Sequence, residues 1–199
     1  MDSKRSLGNS SSTTISTKIV IAGGFGVGKT TLVGAVSETP PVSTEALMTE
    51  VSEGVDDLAD TPDKSTTTVA MDYGRITLDQ GLILYLFGTP GQTRFWFMWD
   101  DLVRGALGAV ILADTRRLED CFPVVDYFEL QCNLPFAIAL NCFDGQLPHS
   151  VQSVRDALAL GPEVPIVPCD ARDSGSVADV LTELVSHGLA GSRRPSLAS

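Results

Sequence analysis

The chain has 199 residues, which suits one domain of ordinary size with a core that needs no disulfide or structural metal. A formal charge of −11 and a pI near 4.4 exclude a broad electrostatic grip on nucleic acid or anionic lipid, so any bound phosphate must be held locally. The four cysteines, at 121, 132, 142 and 169, form no CxxC pair and no zinc-ligand spacing, and read as free thiols of a reducing cytoplasm.

No apolar run reaches the roughly 18 residues of a membrane span, and the N-terminus lacks the layout of a signal peptide. Asp2 stands where N-myristoylation needs glycine, and no cysteine lies near Ser199, so a cytoplasmic protein with no direct membrane anchor is expected. Residues 1–16, mostly Ser, Thr, Asn and Gly, are expected as a disordered tail, residues 17–190 as the folded domain and residues 191–199 as a flexible C-terminal tail.

Residues 18–22 form a short β-branched run that reads as a buried strand, and residues 30–37 read as a helix. Between them Gly23-Gly24-Phe25-Gly26-Val27-Gly28-Lys29-Thr30 matches GxxxxGK[ST], in the strand-to-helix setting that a phosphate loop requires. Gly23, Gly26, Val27 and Gly28 let backbone N–H groups turn toward phosphate oxygens at a helix N-terminus, with Thr31 beside them. Lys29 reaches for the terminal phosphates, and the Thr30 hydroxyl is placed for magnesium.

Residues 38–63 carry eight acidic side chains and no Lys or Arg, and are expected as a solvated mobile loop. Leu47, Val51, Val55 and Leu58 recur at helical spacing, so a short amphipathic helix is expected inside it. Residues 68–78 and 82–87 are two β-rich runs around the turn signal Asp79-Gln80-Gly81, and read as an antiparallel hairpin. The cluster Phe95-Trp96-Phe97-Met98-Trp99 reads as partner surface or as core beneath a moving segment, with surface favoured. Residues 109–113, 136–140 and 164–167 are further apolar runs alternating with helical patterns. The expected fold is α/β: a three-layer P-loop NTPase domain whose six-stranded sheet is parallel apart from residues 68–78, with helices on both faces.

A phosphate loop serves ATPases, kinases and GTPases alike, so the base must be read elsewhere. Asn141-Cys142-Phe143-Asp144 follows a strand, and Asp144 can accept hydrogen bonds from the N1 and N2 donors that guanine has and adenine lacks. Asn and Asp also shape ordinary turns after strands, so this pair alone leaves both readings open. Asp114, ending residues 109–113, is the alternative Walker-B acid of an ATPase.

Taken in order, residues 18–31, Thr68-Val69-Ala70-Met71-Asp72-Tyr73, Pro90-Gly91-Gln92-Thr93-Arg94-Phe95, Arg104-Gly105-Ala106, 141–144 and Cys169-Asp170-Ala171-Arg172 resemble the Ras-like small P-loop GTPase superfamily. The departures resemble the bacterial Mgl-type group and, most of all, the conservon-operon GTPases of actinomycetes. The resemblance implies a GDP/GTP switch with magnesium. In it Ala171 meets the guanine O6, Gly91 is among the nucleotide-binding residues, Thr68 senses the γ-phosphate, and Gln92 orients the attacking water. Thr66 and Thr67 remain adjacent alternatives to Thr68.

Two departures matter. The DxxG acid that serves magnesium is replaced at Gly88, so the metal is left with Thr30, Thr68 and the nearby acid Asp72 as candidates. The base-motif lysine is replaced by Cys142, which leaves Arg172 as the candidate to cover the base. With no arginine between residues 38 and 63, slow hydrolysis is expected, with Arg94 or a partner supplying charge. The resemblance further implies a Roadblock-type, Mgl-B-like regulatory protein and an operon-linked sensor kinase as partners in bacterial signalling, and no nucleic acid. A scaffold that has lost hydrolysis, or a P-loop ATPase or kinase, is the alternative.

Overall fold

The computed structural model describes residues 15–40, 42–49, 66–79, 81–91 and 93–192, with backbone alone at 42–49, 66–70, 93–94 and 192. Its strands are β1 (Ile15–Ala22), β2 (Val42–Thr49), β3 (Thr66–Asp79), β4 (Leu82–Gly88), β5 (Gly108–Ala113), β6 (Phe136–Asn141) and β7 (Ile166–Cys169). Its helices are α1 (Lys29–Val36), α2 (Trp99–Val103), α3 (Phe122–Asp126), α4 (Val151–Ala157) and α5 (Ser174–Ser192). The sheet order is β2-β3-β4-β1-β5-β6-β7.

The central strands are apolar throughout because both faces of the sheet are covered. Alternation divides them: Ile19 and Ile21 of β1 join Leu32, Val33, Val177 and Leu184 beneath α1 and α5. Val20 and Ala22 join Trp99, Val124, Phe128 and Val154 beneath α2, α3 and α4. This is the expected three-layer fold, and all six expected strands are present. β1 pairs in parallel with β4 and β5, β5 with β6, and β6 with β7, while β3 runs antiparallel to β4.

Several expectations are corrected at the margins. β1 begins at Ile15, so Ile15 and Ser16 belong to the sheet and not to the tail, because Ile15 already pairs with Leu82. α5 runs through Gly191 and Ser192, and the remaining tail residues, 1–14 and 193–199, lie outside the described residues. An edge strand, β2, joins the six and pairs antiparallel with β3, placing Leu47 opposite Thr68 where helical spacing pointed to a helix. Fourteen residues of β3 offer a ladder of backbone donors and acceptors, and pairing with it overrides the local helical pattern. Val51, Val55 and Leu58 lie outside the described residues.

The aromatic run is chiefly core. Phe95, Met98 and Trp99 are buried, Trp96 packs against them, and only Phe97 of the five is exposed, at 56%. Trp99 stacks on Trp96 at 4.7 Å between ring centroids and meets Tyr127 edge-on at 5.1 Å, which ties the segment after β4 to the turn that follows α3.

Candidate functional site

The C-terminal ends of the parallel strands meet along one edge of the sheet, where α/β folds open their ligand crevice. The loop from β1 to α1 turns through left-handed backbone at Gly26 (φ 72°) and Gly28 (φ 107°), which glycine adopts without steric cost. Gly28 caps α1, so the N–H groups of its first turn face the loop's hollow. A cleft of about 510 Å³ opens there, lined by Gly26, Gly28, Lys29, Thr30, Thr31, Asp72 and Gly91.

Lys29 is buried and donates to the carbonyl oxygens of Gly23 at 2.9 Å and Gly24 at 2.7 Å. Burial lowers its pKa from 10.5 to about 8, with Asp72 pulling the other way. The Thr30 hydroxyl donates to Asp72 Oδ2 at 2.8 Å. Asp72 pairs with Gly88 across the β3–β4 ladder, and a Cβ on Gly88 would lie 2.9 Å from the Asp72 Cβ and 3.0 Å from its Oδ2. The Asp72 carboxylate therefore fills the space beside Gly88. Among the described residues no cluster of three potential metal ligands exists. One carboxylate with one hydroxyl on a phosphate cleft fits magnesium, which keeps most of its waters and takes few protein ligands.

A second cavity of about 100 Å³ continues from the cleft, lined by Gly28, Thr31, Asn141, Cys142, Ala171 and Arg172. Asn141, at the end of β6, is its fulcrum: its amide donates to Val27 O at 2.9 Å, and its Oδ1 accepts from the Ala171 N–H at 3.2 Å. One buried side chain thus locks the phosphate loop to the loops after β6 and β7. Asp144 stands in left-handed backbone (φ 54°) with its side chain 89% exposed, 3.6 Å from the Arg172 guanidinium. Asp170 holds that guanidinium in a two-pronged contact at 3.0 Å on each arm, which keeps Arg172 along the cavity wall.

A family model described as a conserved hypothetical ATP binding protein matches residues 21–191. The chain belongs to this family. An uncharacterized protein of Methanocaldococcus jannaschii is 29% identical over 129 residues, which is 64% of this chain and 70% of that protein. Among solved structures, the G domain of the T. maritima FeoB iron transporter superposes with a TM-score of 0.59 at 18% identity, covering 87% of this chain and 99% of that domain. The cytosolic domain of the same transporter in GDP form I gives 0.60 at 17%, covering 88% of this chain and 64% of that chain. Its GMPPNP form gives 0.57 at 16%, over 86% and 64%. Identities this low show the fold alone: this member of the ATP binding protein family has the α/β fold of P-loop GTPase G domains.

In this family member the fold gathers Gly26, Gly28, Lys29, Thr30, Thr31, Asp72 and Gly91 around the cleft, and Asn141, Ala171 and Arg172 around the adjoining cavity, while Gly23 and Val27 stand behind the loop with their carbonyls held by Lys29 and Asn141. Asp144 lies beside that cavity, against Arg172. Thr68 lies in β3. Gln92 lies outside the described residues, and Arg94 lies in the 3-10 turn Thr93–Met98. Asp114, the alternative Walker-B acid, is engaged by Arg116. Its buried carboxylate accepts from the Arg116 guanidinium at 2.9 and 2.8 Å and from the Arg116 N–H, and these bonds hold its pKa below the usual carboxylate range.

Three features escaped the sequence reading. Thr89 lines the cleft with a buried hydroxyl that has no partner. The Arg116 guanidinium lies 3.7 Å from the Phe143 ring centroid, bracing the loop that carries Asp144. Arg117 reaches the phosphate loop itself and donates to Phe25 O at 3.1 Å. The signal for both arginines was their place directly after β5, at the ligand edge of a parallel sheet.

Proposed function

We propose that the chain is a small GTPase switch: it binds GDP and GTP with magnesium and hydrolyses GTP slowly. The observation that carries the reading is the Asn141 bridge, which sets the loops bearing Asp144 and Ala171 against the phosphate loop. A carboxylate there accepts from the guanine N1–H and N2–H and repels the acceptor N1 of adenine. Ala171 lies on the loop that faces guanine O6, its own N–H being held by Asn141, and Arg172 covers the face that Cys142 leaves open.

Lys29 and the loop N–H groups hold the phosphates. Thr30 and Asp72, with Thr68 from β3, are the residues that would hold magnesium, which neutralises charge on the phosphate oxygens. Gln92 orients the attacking water. The FeoB cytosolic domain is described in GDP and GMPPNP forms, which supports a guanine nucleotide, whereas the family description names ATP. We assign the chain to the Mgl-type, conservon-operon branch of Ras-like GTPases in bacterial signalling, a cytoplasmic switch stimulated by a Roadblock-type partner and linked to a sensor kinase.

Titration calorimetry of the nucleotide-stripped chain with GDP and then ADP, in magnesium, tests the base. GDP is expected to bind about 100-fold more tightly or better, since a site built around hydrogen bonds to one base rejects another strongly. Equal binding of ADP would return the chain to the ATP reading.

The same titration carries a pH signature. Free Lys29, with its pKa near 8, is mostly neutral at pH 9, and the diphosphate restores its proton. GDP binding at pH 9 is therefore expected to take up close to one proton, and at pH 7 almost none, read from heats in buffers of different ionisation enthalpy. Between about pH 8 and 10.5 the unfolded lysine binds more protons than the folded one, so this group alone makes the free chain more stable as pH rises through that window.

A further inference from the structure

Two consecutive arginines leave β5 and part company. Arg116 turns to the loop after β6, while Arg117, at φ −142° and ψ 55°, breaks the 3-10 turn Thr115–Cys121 and points to the phosphate loop. Its guanidinium donates to Phe25 O at 3.1 Å and lies 3.8 Å from the place a Cβ on Gly26 would take. Phe25 and Gly26 line the phosphate cleft. Arg117 therefore borders the rim of the loop that cradles the phosphates.

Among the described residues Lys29 is the only cationic side chain lining the cleft, and the stretch 38–63 holds no arginine. In the transition state negative charge spreads over the γ-phosphoryl oxygens and the bridging oxygen, and a cationic side chain beyond Lys29 and the magnesium proposed above lowers its energy further. Arg117 is placed and tethered for that task. The buried Asp114 carboxylate lies 3.9 Å from its Nε, and Asp120 lies 3.6 Å from its Nη1. The Asp120 contact is half-exposed on both sides, so solvent weakens it and the side chain can leave it for a phosphate.

We propose that Arg117 is an arginine finger carried in this chain, entering from the loop after β5 and acting on a bound nucleoside triphosphate. The inference rests on the GTPase reading above. In the step it serves, the oxygen of a water bonds to the γ-phosphorus as the bond from that phosphorus to the β–γ bridging oxygen breaks. The electron pair stays on the β-phosphate of GDP, and both hydrogens of the water leave on inorganic phosphate. Arg117 donates to the bridging and γ-oxygens as their charge develops, and contributes little to binding the ground state.

The test uses the full chain without any partner. Single-turnover GTP hydrolysis is measured for wild type, Arg117→Ala and Arg117→Lys, alongside GDP affinity and formation of a GDP–aluminium fluoride complex, which mimics the transferring phosphoryl group. Wild type is expected to form that complex alone. Arg117→Ala is expected to lose it and to slow turnover by about 100-fold or more, with GDP affinity within about threefold, and Arg117→Lys is expected to recover part of the rate. Unchanged turnover in Arg117→Ala, or a fall in GDP affinity that matches the fall in rate, would show that Arg117 only supports the loop and would overturn the proposal. A wild type that binds GDP but traps no aluminium fluoride overturns the in-chain finger while leaving nucleotide binding intact. Failure to bind GDP at all overturns the function itself.

Discussion

Asp144→Asn is expected to trade guanine for xanthine: GDP affinity falls by about 100-fold or more, and xanthosine diphosphate becomes the better ligand. Guanine presents two donors to residue 144, N1–H and N2–H. A carboxylate accepts both, and hydrogen bonds to a charged group contribute about 1.5–3 kcal/mol each. Asparagine keeps one acceptor and replaces the other with an N–H, which opposes the guanine amine and matches the carbonyl that xanthine has in its place. The substitution is clean because the backbone at Asp144 is left-handed, φ 54° and ψ 34°, and asparagine adopts that region as readily as aspartate. Alanine there adds backbone strain to the lost bonds and mixes two effects. Arg172 is held by Asp170 at 3.0 Å on each arm, so its main anchor does not depend on the charge of residue 144. Competition binding of GDP, xanthosine diphosphate and ADP reads the outcome. A variant that keeps its preference for GDP makes Asp144 a turn residue, and a gain in ADP alone moves the chain to the adenine reading.

The phosphate loop was legible because its chemistry is local. Eight consecutive residues between a strand and a helix fix their own geometry, and the structure gives Lys29 and Thr30 the surroundings that the motif requires. Asn141 was legible for the same reason, at the end of an apolar strand, but its double role was not, since Val27 and Ala171 come to it only through the order of the sheet. Asp72 could be nominated as an acid on the strand beside the one that ends at Gly88, yet its fit against Gly88 depends on a cross-strand register that periodicity does not reveal. β2 was misread because leucines and valines spaced as on a helix say nothing about an unpaired edge waiting on β3. Arg116 and Arg117 drew no reading from the sequence. Only the packing shows that one buried carboxylate, Asp114, aims the first at the loop after β6, while the second reaches the phosphate loop.

The register also yields the last prediction, in which an acid is moved between strands. Small GTPases place a carboxylate at the residue that is Gly88 here, and the side chain of Asp72 fills the same space from the neighbouring strand. Asp72→Gly is expected to raise the magnesium concentration needed for tight GDP binding by about 10–100-fold, the usual cost of losing a group that orients metal-bound water. Gly88→Asp alone is expected to be worse for the fold, since its Cβ would lie 2.9 Å from that of Asp72 and two carboxylates would share one space. The double variant Asp72→Gly, Gly88→Asp removes both faults and returns a carboxylate to the site, so magnesium dependence is expected to recover to within about tenfold of wild type. Such a recovery is a coupling that two independent lesions cannot produce. Lys29 gives a second readout, because Asp72 is the charge that holds its pKa up against burial. In Asp72→Gly the lysine loses that support, and the pH at which GDP binding begins to take up a proton moves lower. Magnesium dependence unchanged in Asp72→Gly, with the Lys29 signature shifted all the same, would make Asp72 an electrostatic partner of the lysine and leave the metal to Thr30 and the phosphates.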